Sequence, residues 1–289
     1  MRILLTGAGA AGIVSIIRAL RTIDGLYLVG VDAETLAAGK HFVDRFYQVP
    51  LAKEARYVPE LLRICQQERI DVAIISVDEE IFVLANSKDE FAAIGTKLTI
   101  SHPENTLLCL DKLKFYYHMK DKFNLPPLIE KHITKPRFGR GSVGISITDN
   151  TPECLMQQFV EGQEYTVDVL RSENGQFLAT VPRLRIETDS GLSVKGKTVR
   201  HEGLISETQA VMNYLNLWGA ANIQWIIDEN DIPWLIEVNP RLAGGVTLSV
   251  AAGANIPAGL VSVFTGQQIA PMTFTEGVTM LRYWEAVFV

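Results

Sequence analysis

The sequence is poor in cysteine and has no excess of positive charge. Its three cysteines, Cys65, Cys109 and Cys154, are widely spaced, and such a set fits neither a disulfide framework nor a zinc site. The 289 residues carry a net charge of −6 at pH 7 and contain no basic run of five or more residues. These features argue against a protein that binds nucleic acids by neutralising phosphates.

The sequence also lacks long apolar runs. No stretch reaches the roughly 18 apolar residues that suggest a membrane span, and residues 1–6 lead directly into a glycine turn and lack the shape of a signal peptide. Isolated cysteines fit a reducing compartment. We therefore expect a cytoplasmic protein that does not enter a membrane. Its 47% hydrophobic content is ample for two domains, or for one domain with subdomains.

Side-chain nucleophiles with a partnering base are missing as well. None of the five histidines stands beside a nucleophile or at the spacing of metal ligands. The chemistry therefore has to be sought in cations, oxygen donors and glycine turns.

A glycine turn follows the first predicted strand, at residues 2–6. A helix and a second strand at residues 27–31 come next, and that strand ends at an acidic residue. This order matches the dinucleotide-binding fingerprint, although similar turns occur in α/β domains that bind no nucleotide. One hypothesis is therefore an NAD(P)-dependent oxidoreductase. Its binding residues would be Gly7, Gly9, Gly12 and Asp32.

Two further strands, at residues 72–77 and 96–100, predict an open α/β sheet of about a hundred residues. This is short of the sheet of a complete two-half dinucleotide-binding domain, and nothing downstream offers a hydride-transfer site. Asp78 follows one of these strands. It is expected either in a cleft at the carboxyl end of the sheet or at the start of a helix, where acidic residues are favoured.

Near the C-terminus, an apolar run predicts a buried strand that carries two oxygen donors. Glu237 and Asn239 are two positions apart, so both side chains leave the same face of the strand. Gln224 is a third oxygen donor on a second apolar strand. Such donors suit Mg²⁺ that also binds phosphates. Arg241 and a glycine pair follow, where the backbone can approach a ligand closely.

A second glycine-rich loop follows a predicted strand that presents Lys135. Backbone N–H groups, the hydroxyl of Ser142 and the lysine can bind anionic oxygens. The lysine precedes Gly139 and Gly141, so the loop is not the Gx4GK[ST] type. Alone, the pattern also fits a hairpin loop with surface charges.

Together, Gln224, residues 237–241 and residues 133–145 resemble the ATP-grasp superfamily, and most of all its carbamoyl-phosphate-synthase-like branch. The resemblance implies an α/β and α+β fold, with a Rossmann-like pre-ATP-grasp domain at residues 1–103 and an ATP-grasp domain at 104–289. Within the second, it implies a short lid subdomain at about 128–162 and a metal-binding subdomain at about 163–289.

The resemblance also implies roles for individual residues. Those expected to bind the nucleotide phosphates are Lys112, Lys135, Gly139, Gly141 and Ser142. Those expected to bind the adenosine are Gln157, Gln158, Phe159, Val160 and Glu164, although a Glu-Gly junction between two strands by itself indicates only a hairpin. The metal ligands, for Mg²⁺ or Mn²⁺, are expected to be Gln224, Glu237 and Asn239. The catalytic cations are expected to be Arg183, Lys195 and Arg241.

The function that the resemblance implies is ATP-dependent ligation of a small-molecule carboxylate to an amine through an acylphosphate, in a possible homodimer. Two alternatives stay open at this point: the oxidoreductase, and an ATP-binding protein without turnover. The second arises because the segment between Lys135 and residue 155 is shorter than the family's usual lid. Either the lid is reduced or the sequence in hand omits part of it.

Overall fold

The computed structural model describes residues 1–138 and 154–289. The predicted phosphate-binding residues Gly139, Gly141 and Ser142 lie outside these ranges. The described part contains a parallel sheet, a large antiparallel sheet and a two-stranded sheet. This confirms the predicted α/β and α+β class.

The parallel sheet is formed by the first hundred residues. Its strands are β1 (Arg2–Leu5), β2 (Tyr27–Asp32), β3 (Arg45–Gln48), β4 (Val72–Ile74) and β5 (Lys97–Leu98). They lie in the order β3-β2-β1-β4-β5, and all four pairings are parallel. The accompanying helices are α1 (Ile13–Leu20), α2 (Tyr57–Glu68), α3 (Asp78–Leu84) and α4 (Lys88–Ala93), with 3-10 turns at Ala38–His41 and Ala85–Ser87.

The first strand and helix follow from the local sequence. The apolar side chains of β1 are fully buried, and the helix α1 begins immediately after Gly12, whose φ of +85° favours glycine. The sequence did not predict β3. This strand has exposed ends and a half-buried centre at the edge of the sheet, so it lacks the apolar run that marks a buried parallel strand.

The remaining strands form the large antiparallel sheet and the two-stranded sheet. They are β6 (Leu128–Pro136), β7 (Cys154–Gln157), β8 (Gln163–Arg171), β9 (Phe177–Asp189), β10 (Leu192–Thr198), β11 (Gly219–Ile227), β12 (Pro233–Asn239) and β13 (Thr279–Leu281). Six of them form the antiparallel sheet, in the order β12-β11-β8-β9-β10-β13, and β6 pairs with β7. The helices are α5 (Pro103–Leu110), α6 (Lys112–Met119), α7 (Glu202–Tyr214), α8 (Thr247–Ala251) and α9 (Ile256–Thr265).

One apolar core joins these parts. Ile13 and Ile17 of α1 belong to the same buried cluster as Val246 and Leu260 from the C-terminal part. A second cluster lies within the C-terminal part and joins Phe115 of α6 to residues of β8, β11 and β12. At the carboxyl end of the parallel sheet, Asp78 after β4 pairs with Arg241 after β12, so this end faces the antiparallel sheet. The predicted division at residue 103 stays a prediction.

The Glu161–Gly162 junction does not form a hairpin. The strand β7 before it pairs with β6, whereas the strand β8 after it pairs with β9 and β11 in the large sheet. A Cβ atom at Gly162 would overlap the carbonyl oxygen of Ile227, so the crossing between the two sheets requires glycine.

The described cysteine side chains are structural. Cys65 and Cys109 are free and buried, and burial raises the pKa of the Cys65 thiol to about 12. Because the thiolate is the reactive form, we expect neither to react with iodoacetamide at pH 8 unless the chain is unfolded. Peptide mass spectrometry with and without urea tests this, and rapid labelling of Cys65 in the native protein would contradict it.

Among the helices described for residues 1–138 and 154–289, none has the length and apolar character of a membrane span.

Candidate functional site

The three predicted metal ligands lie together on adjacent strands. Gln224 of β11 stands opposite Glu237 of β12, and Asn222 stands opposite Asn239. The Asn239 amide donates to Oε1 of Glu237 at 2.9 Å. All four side chains line one cleft between the two sheets, so the strand alternation read from the sequence places the donors on a common face.

This donor set fits Mg²⁺ held jointly with phosphates. It offers one carboxylate and two amide oxygens, and Mg²⁺ sites in nucleotide enzymes use one or two carboxylates with substrate phosphates completing the shell. Within residues 1–138 and 154–289, no group of three or more His, Cys, Asp or Glu residues forms an all-protein metal site. The set therefore suits a divalent cation whose coordination shell a bound ligand completes.

The two predicted phosphate-binding lysines approach the same carboxylate. Lys112 is the first residue of α6 and borders a small gap beside Glu237 and Asn239. Lys135 lies near the end of β6. Burial lowers the pKa of Lys135 to about 8, the negative charge of Glu237 opposes this, and the positive charge of Lys112 adds to it. The charges of Lys112 and Glu237 thus both act on the Lys135 ammonium.

Arg185 is a site residue that the sequence reasoning did not select. Its Nη1 donates to Glu164 and, at 3.2 Å, to Oε1 of Gln224, while Nη2 donates to the Gly191 carbonyl at 2.7 Å. Burial raises the pKa of Glu164, with Glu237 adding to this, and the adjacent Arg185 opposes the change. Strand periodicity could have found Arg185, because it is two positions from Arg183 on β9.

Arg183 lies beneath the cleft in a buried polar network. Only 2% of it is exposed, and its Nε and Nη2 donate to the two oxygens of Asp168 at 2.8 and 2.9 Å. Asp168 also accepts hydrogen bonds from Asn222 at 3.0 Å and from Ser249 at 2.6 Å. The backbone closes over the guanidinium, since a Cβ atom at Gly245 would lie 2.7 Å from Nη1.

Arg241 connects the end of β12 to the parallel-sheet part. Its Nε and Nη2 donate to the two Asp78 oxygens at 2.6 and 2.9 Å, and Nη2 also reaches Oδ1 of Asn239 at 3.5 Å. Burial acts to lower the pKa of Arg241, but Asp78 outweighs it and the pKa is raised. Asp78 begins α3 and also borders the site, so both predictions for this residue hold.

Lys195 is placed differently from the other predicted cations. Its ammonium pairs with Glu187 across the β9–β10 hairpin at 2.5 Å, and 49% of its side chain is exposed. Unlike Arg183 and Arg241, it is not among the described residues that line the cleft. A direct catalytic role for Lys195 stays a prediction without support from its position.

The predicted adenosine-binding segment has one buried residue and three more exposed ones. Gln157 is buried, and its amide donates to the Pro126 carbonyl at 3.2 Å. Within the described part of the chain, its Oε1 has no hydrogen-bond partner. Gln158 and Phe159 are exposed and Val160 is half-buried. The segment therefore presents the exposed ring of Phe159, while the Gln158 amide donates to the Pro127 carbonyl at 2.8 Å.

The N-terminal glycine turn is engaged by its own chain. The Gly9 amide donates to Oδ2 of Asp32 at 2.6 Å, and the Glu34 amide donates to Oδ1 at 2.8 Å. The Asp32 carboxylate thus ties the glycine turn to the end of β2. Ala10 and Ala11 of the same turn border the cleft, so the turn shapes this space from the side of the parallel sheet.

The cleft has a volume of about 220 Å³. Its walls come from the glycine turn, the β9–β10 hairpin and the segment after β12. Besides the metal-ligand strands, it is lined by Ala10, Ala11, Ile13, Ile16, Ser76, Thr166, Arg183, Arg185, Ser190, Gly191, Leu192, Ser193, Arg241, Leu242, Ala243, Gly244 and Gly245. Three arginines, the Glu237 carboxylate, glycines and apolar side chains thus line one space, a mixture that suits a small anionic molecule bound together with a cation.

Comparison with known families matches both parts of the chain. Residues 150–285 match a family model described as ATP-grasp in the biosynthetic pathway with Ter operon. Residues 3–99 match one described as PylC-like, N-terminal domain. The resemblance that was predicted from Gln224, residues 237–241 and residues 133–145 is thereby confirmed.

Among curated proteins, the chain is similar to the arginine-specific large chain of carbamoyl phosphate synthase from Bacillus subtilis. The two are 23% identical, over 74% of this chain and 24% of that protein. D-alanine–D-alanine ligase from Thermotoga petrophila is 25% identical over 32% of this chain and 39% of that enzyme. The match thus spans about a quarter of the carbamoyl phosphate synthase chain and about two fifths of the D-alanine–D-alanine ligase.

Solved structures match the fold over nearly the whole chain. The biotin carboxylase–β-γ-ATP complex from Campylobacter jejuni has a TM-score of 0.77 at 15% identity, covering 94% of this chain and 73% of that one. N5-carboxyaminoimidazole synthetase from Staphylococcus aureus, complexed with ADP, has a TM-score of 0.73 at 16% identity, covering 94% and 79%.

Proposed function

We propose that this chain, an ATP-grasp protein with a PylC-like N-terminal domain, is an ATP- and Mg²⁺-dependent ligase that joins a carboxylate to an amine. One observation carries the proposal. Lys112 and Lys135 both lie near Glu237, which is also one of the three predicted metal ligands. This cluster lies where the parallel and antiparallel sheets meet. The names of the relatives support the same reaction class, since they include a synthase and a ligase.

Each group has a role in binding ATP. Lys112 and Lys135 would bind the phosphate oxygens, and Gln224, Glu237 and Asn239 would hold Mg²⁺ or Mn²⁺. When bound, the cation neutralises charge on the phosphates. Gly139, Gly141 and Ser142 would supply further phosphate contacts. Gln157, Gln158, Glu164 and the backbone at Phe159 and Val160 would bind the adenosine.

The reaction needs no nucleophilic side chain. An oxygen of the substrate carboxylate attacks the γ-phosphorus, the bond from that phosphorus to the β,γ-bridging oxygen breaks, and ADP leaves. The amine nitrogen then attacks the acyl carbon of the acylphosphate, phosphate departs, and the nitrogen loses a proton. Arg241, Arg183 and Arg185 would stabilise the negative charge that accumulates on the transferring groups.

The oxidoreductase is not supported by a specific observation. Its acidic residue, Asp32, accepts hydrogen bonds from the Gly9 amide, after β1, and from the Glu34 amide, after β2. A small-molecule carboxylate and an amine remain the proposed partners, and a homodimer the proposed assembly.

A turnover screen tests the proposal. The protein is incubated with ATP, Mg²⁺ and pools of small acids and amines, and ADP, phosphate and product masses are measured. We expect ADP and phosphate in equal amounts, with a product whose mass equals acid plus amine less one water.

Lys135→Met is expected to lower the rate of ADP formation by about two orders of magnitude, since a cation positioned against transferring phosphate contributes on that scale. ATP binding without ADP release in every pool would instead identify a nucleotide-binding protein.

A further inference from the structure

Asp111 is a buried carboxylate with an unusual number of partners for a helix cap. It precedes α6 and is 4% exposed. Its Oδ1 accepts the Lys114 amide at 3.2 Å, which caps the helix. Arg137 donates Nε to Oδ1 at 2.7 Å and Nη2 to Oδ2, and the Lys114 ammonium lies 3.7 Å from Oδ2. One carboxylate thus serves as a cap and as half of a forked ion pair.

These contacts join the two elements that carry the phosphate-binding lysines. Asp111 immediately precedes Lys112, and Arg137 follows Lys135 by two residues. The Lys112 amide also donates to the Arg137 carbonyl at 3.3 Å. The start of α6 and the end of β6 are therefore held side by side, although more than twenty residues separate them along the chain.

Two lysines of like charge gain from such a restraint, because like charges repel at close range. Lys112 borders the gap beside Glu237, and Lys135 lies near the end of β6. The contacts of Asp111 and Arg137 therefore fix the backbone positions from which both side chains extend. The Asp111 carboxylate remains ionised and can therefore pair with Arg137. Burial acts to raise its pKa, but the hydrogen bonds from Arg137 and Lys114 outweigh burial and lower it.

A second contact anchors the same end of β6. The Phe138 ring packs edge-on against Phe82 of α3, with the ring centroids 5.3 Å apart, and the Arg137 guanidinium lies over the Phe138 ring at 5.2 Å. Phe138 itself is half exposed. The end of β6 is thus fixed both to α6 and to the parallel-sheet part.

We infer that Asp111 is a positioning residue that, through Arg137, sets the spacing of Lys112 and Lys135 for a triphosphate chain. The inference rests on the proposed function, since it assigns the spacing to nucleotide phosphates. It predicts a defect that grows with the number of phosphates on the ligand. A carboxylate with only a structural role would affect all nucleotides alike.

The sharpest variant is Asp111→Asn, because asparagine caps helices as well as aspartate does but lacks the charge that holds Arg137. Calorimetry with the β,γ-imido analogue of ATP and Mg²⁺ is expected to show a Kd about tenfold weaker than that of the wild type. The Kd for AMP should change by less than twofold. Arg137→Gln should reproduce this pattern, and Arg137→Lys should restore part of the loss, since a single ammonium keeps the charge without the fork.

Asp121→Asn is the matched control, because Asp121 is exposed just beyond the C-terminus of α6; it should leave both Kd values unchanged. An equal loss for the ATP analogue and AMP, or no loss for either, in Asp111→Asn would overturn the inference. A wild-type protein that binds AMP but gains nothing from the added phosphates would also overturn it. A wild type that binds no nucleotide would instead refute the proposed function, and the inference would fail with it.

Discussion

Replacement of Glu237 by glutamine is expected to weaken binding of the β,γ-imido ATP analogue in the presence of Mg²⁺ by about a hundredfold. Glu237 is the single carboxylate among the predicted metal ligands and the charge that both lysines face. Loss of groups that merely support a metal ligand lowers affinity by about 10–100-fold, so loss of the ligand charge belongs at the upper end. The fold should persist, because the side chain is half-buried and glutamine preserves an oxygen for Asn239.

Calorimetry with and without EDTA measures this loss. The metal-dependent part of the affinity should disappear in Glu237→Gln, leaving the weak metal-independent part. Glu229→Gln is the matched control, since it removes the same charge from the exposed turn between β11 and β12. A Kd for Glu237→Gln within twofold of the wild type would remove Glu237 from the metal site.

The second large effect concerns stability. Asp168→Asn is expected to lower the free energy of unfolding by about 3–5 kcal/mol, because it leaves the buried Arg183 guanidinium without its counter-charge. Asp168 and Arg183 are each 2% exposed, and the carboxylate accepts four hydrogen bonds. The melting temperature should fall by roughly 10 °C on this account.

A double replacement distinguishes the loss of the whole ion pair from the burial of one unpaired charge. Asp168→Leu with Arg183→Met removes both charges together, and apolar replacements of buried ion pairs are often neutral or better. The double variant should therefore recover most of the stability that Asp168→Asn loses. Asp24→Asn, in an exposed turn, should match the wild type by calorimetric melting. A double variant less stable than Asp168→Asn would show that the network, rather than the unpaired charge, determines stability.

The common face of the predicted metal ligands could be predicted from the sequence because it depends on local periodicity. Glu237 and Asn239 are two positions apart, so their side chains leave the same face of β12. The apolar residues around them predicted the strand. The structure places Gln224 directly opposite Glu237. The same periodicity puts Arg185 on the face of Arg183, two positions away on β9. It does not show that Arg185 contacts Glu164 and Gln224, which lie on other strands.

Contacts between distant segments could not be predicted. The Asp111–Arg137 and Asp78–Arg241 pairs join residues 26 and 163 positions apart, and each depends on how the sheets pack. The role of Asp168 likewise could not be predicted. It depends on hydrogen bonds from Arg183, Asn222 and Ser249, which only the folded structure brings around this carboxylate. The edge strand β3 was missed for a different reason, because its pattern has no buried face.

The most direct test of the central claim is a melting-temperature titration of the wild-type protein with Mg²⁺ and the β,γ-imido ATP analogue, run beside NADH. A ligand that binds only the native state raises the melting temperature in proportion to its saturation. We predict a Mg²⁺-dependent rise with the ATP analogue and none with NADH. A rise with NADH alone would contradict the account and move the functional site to the N-terminal glycine turn.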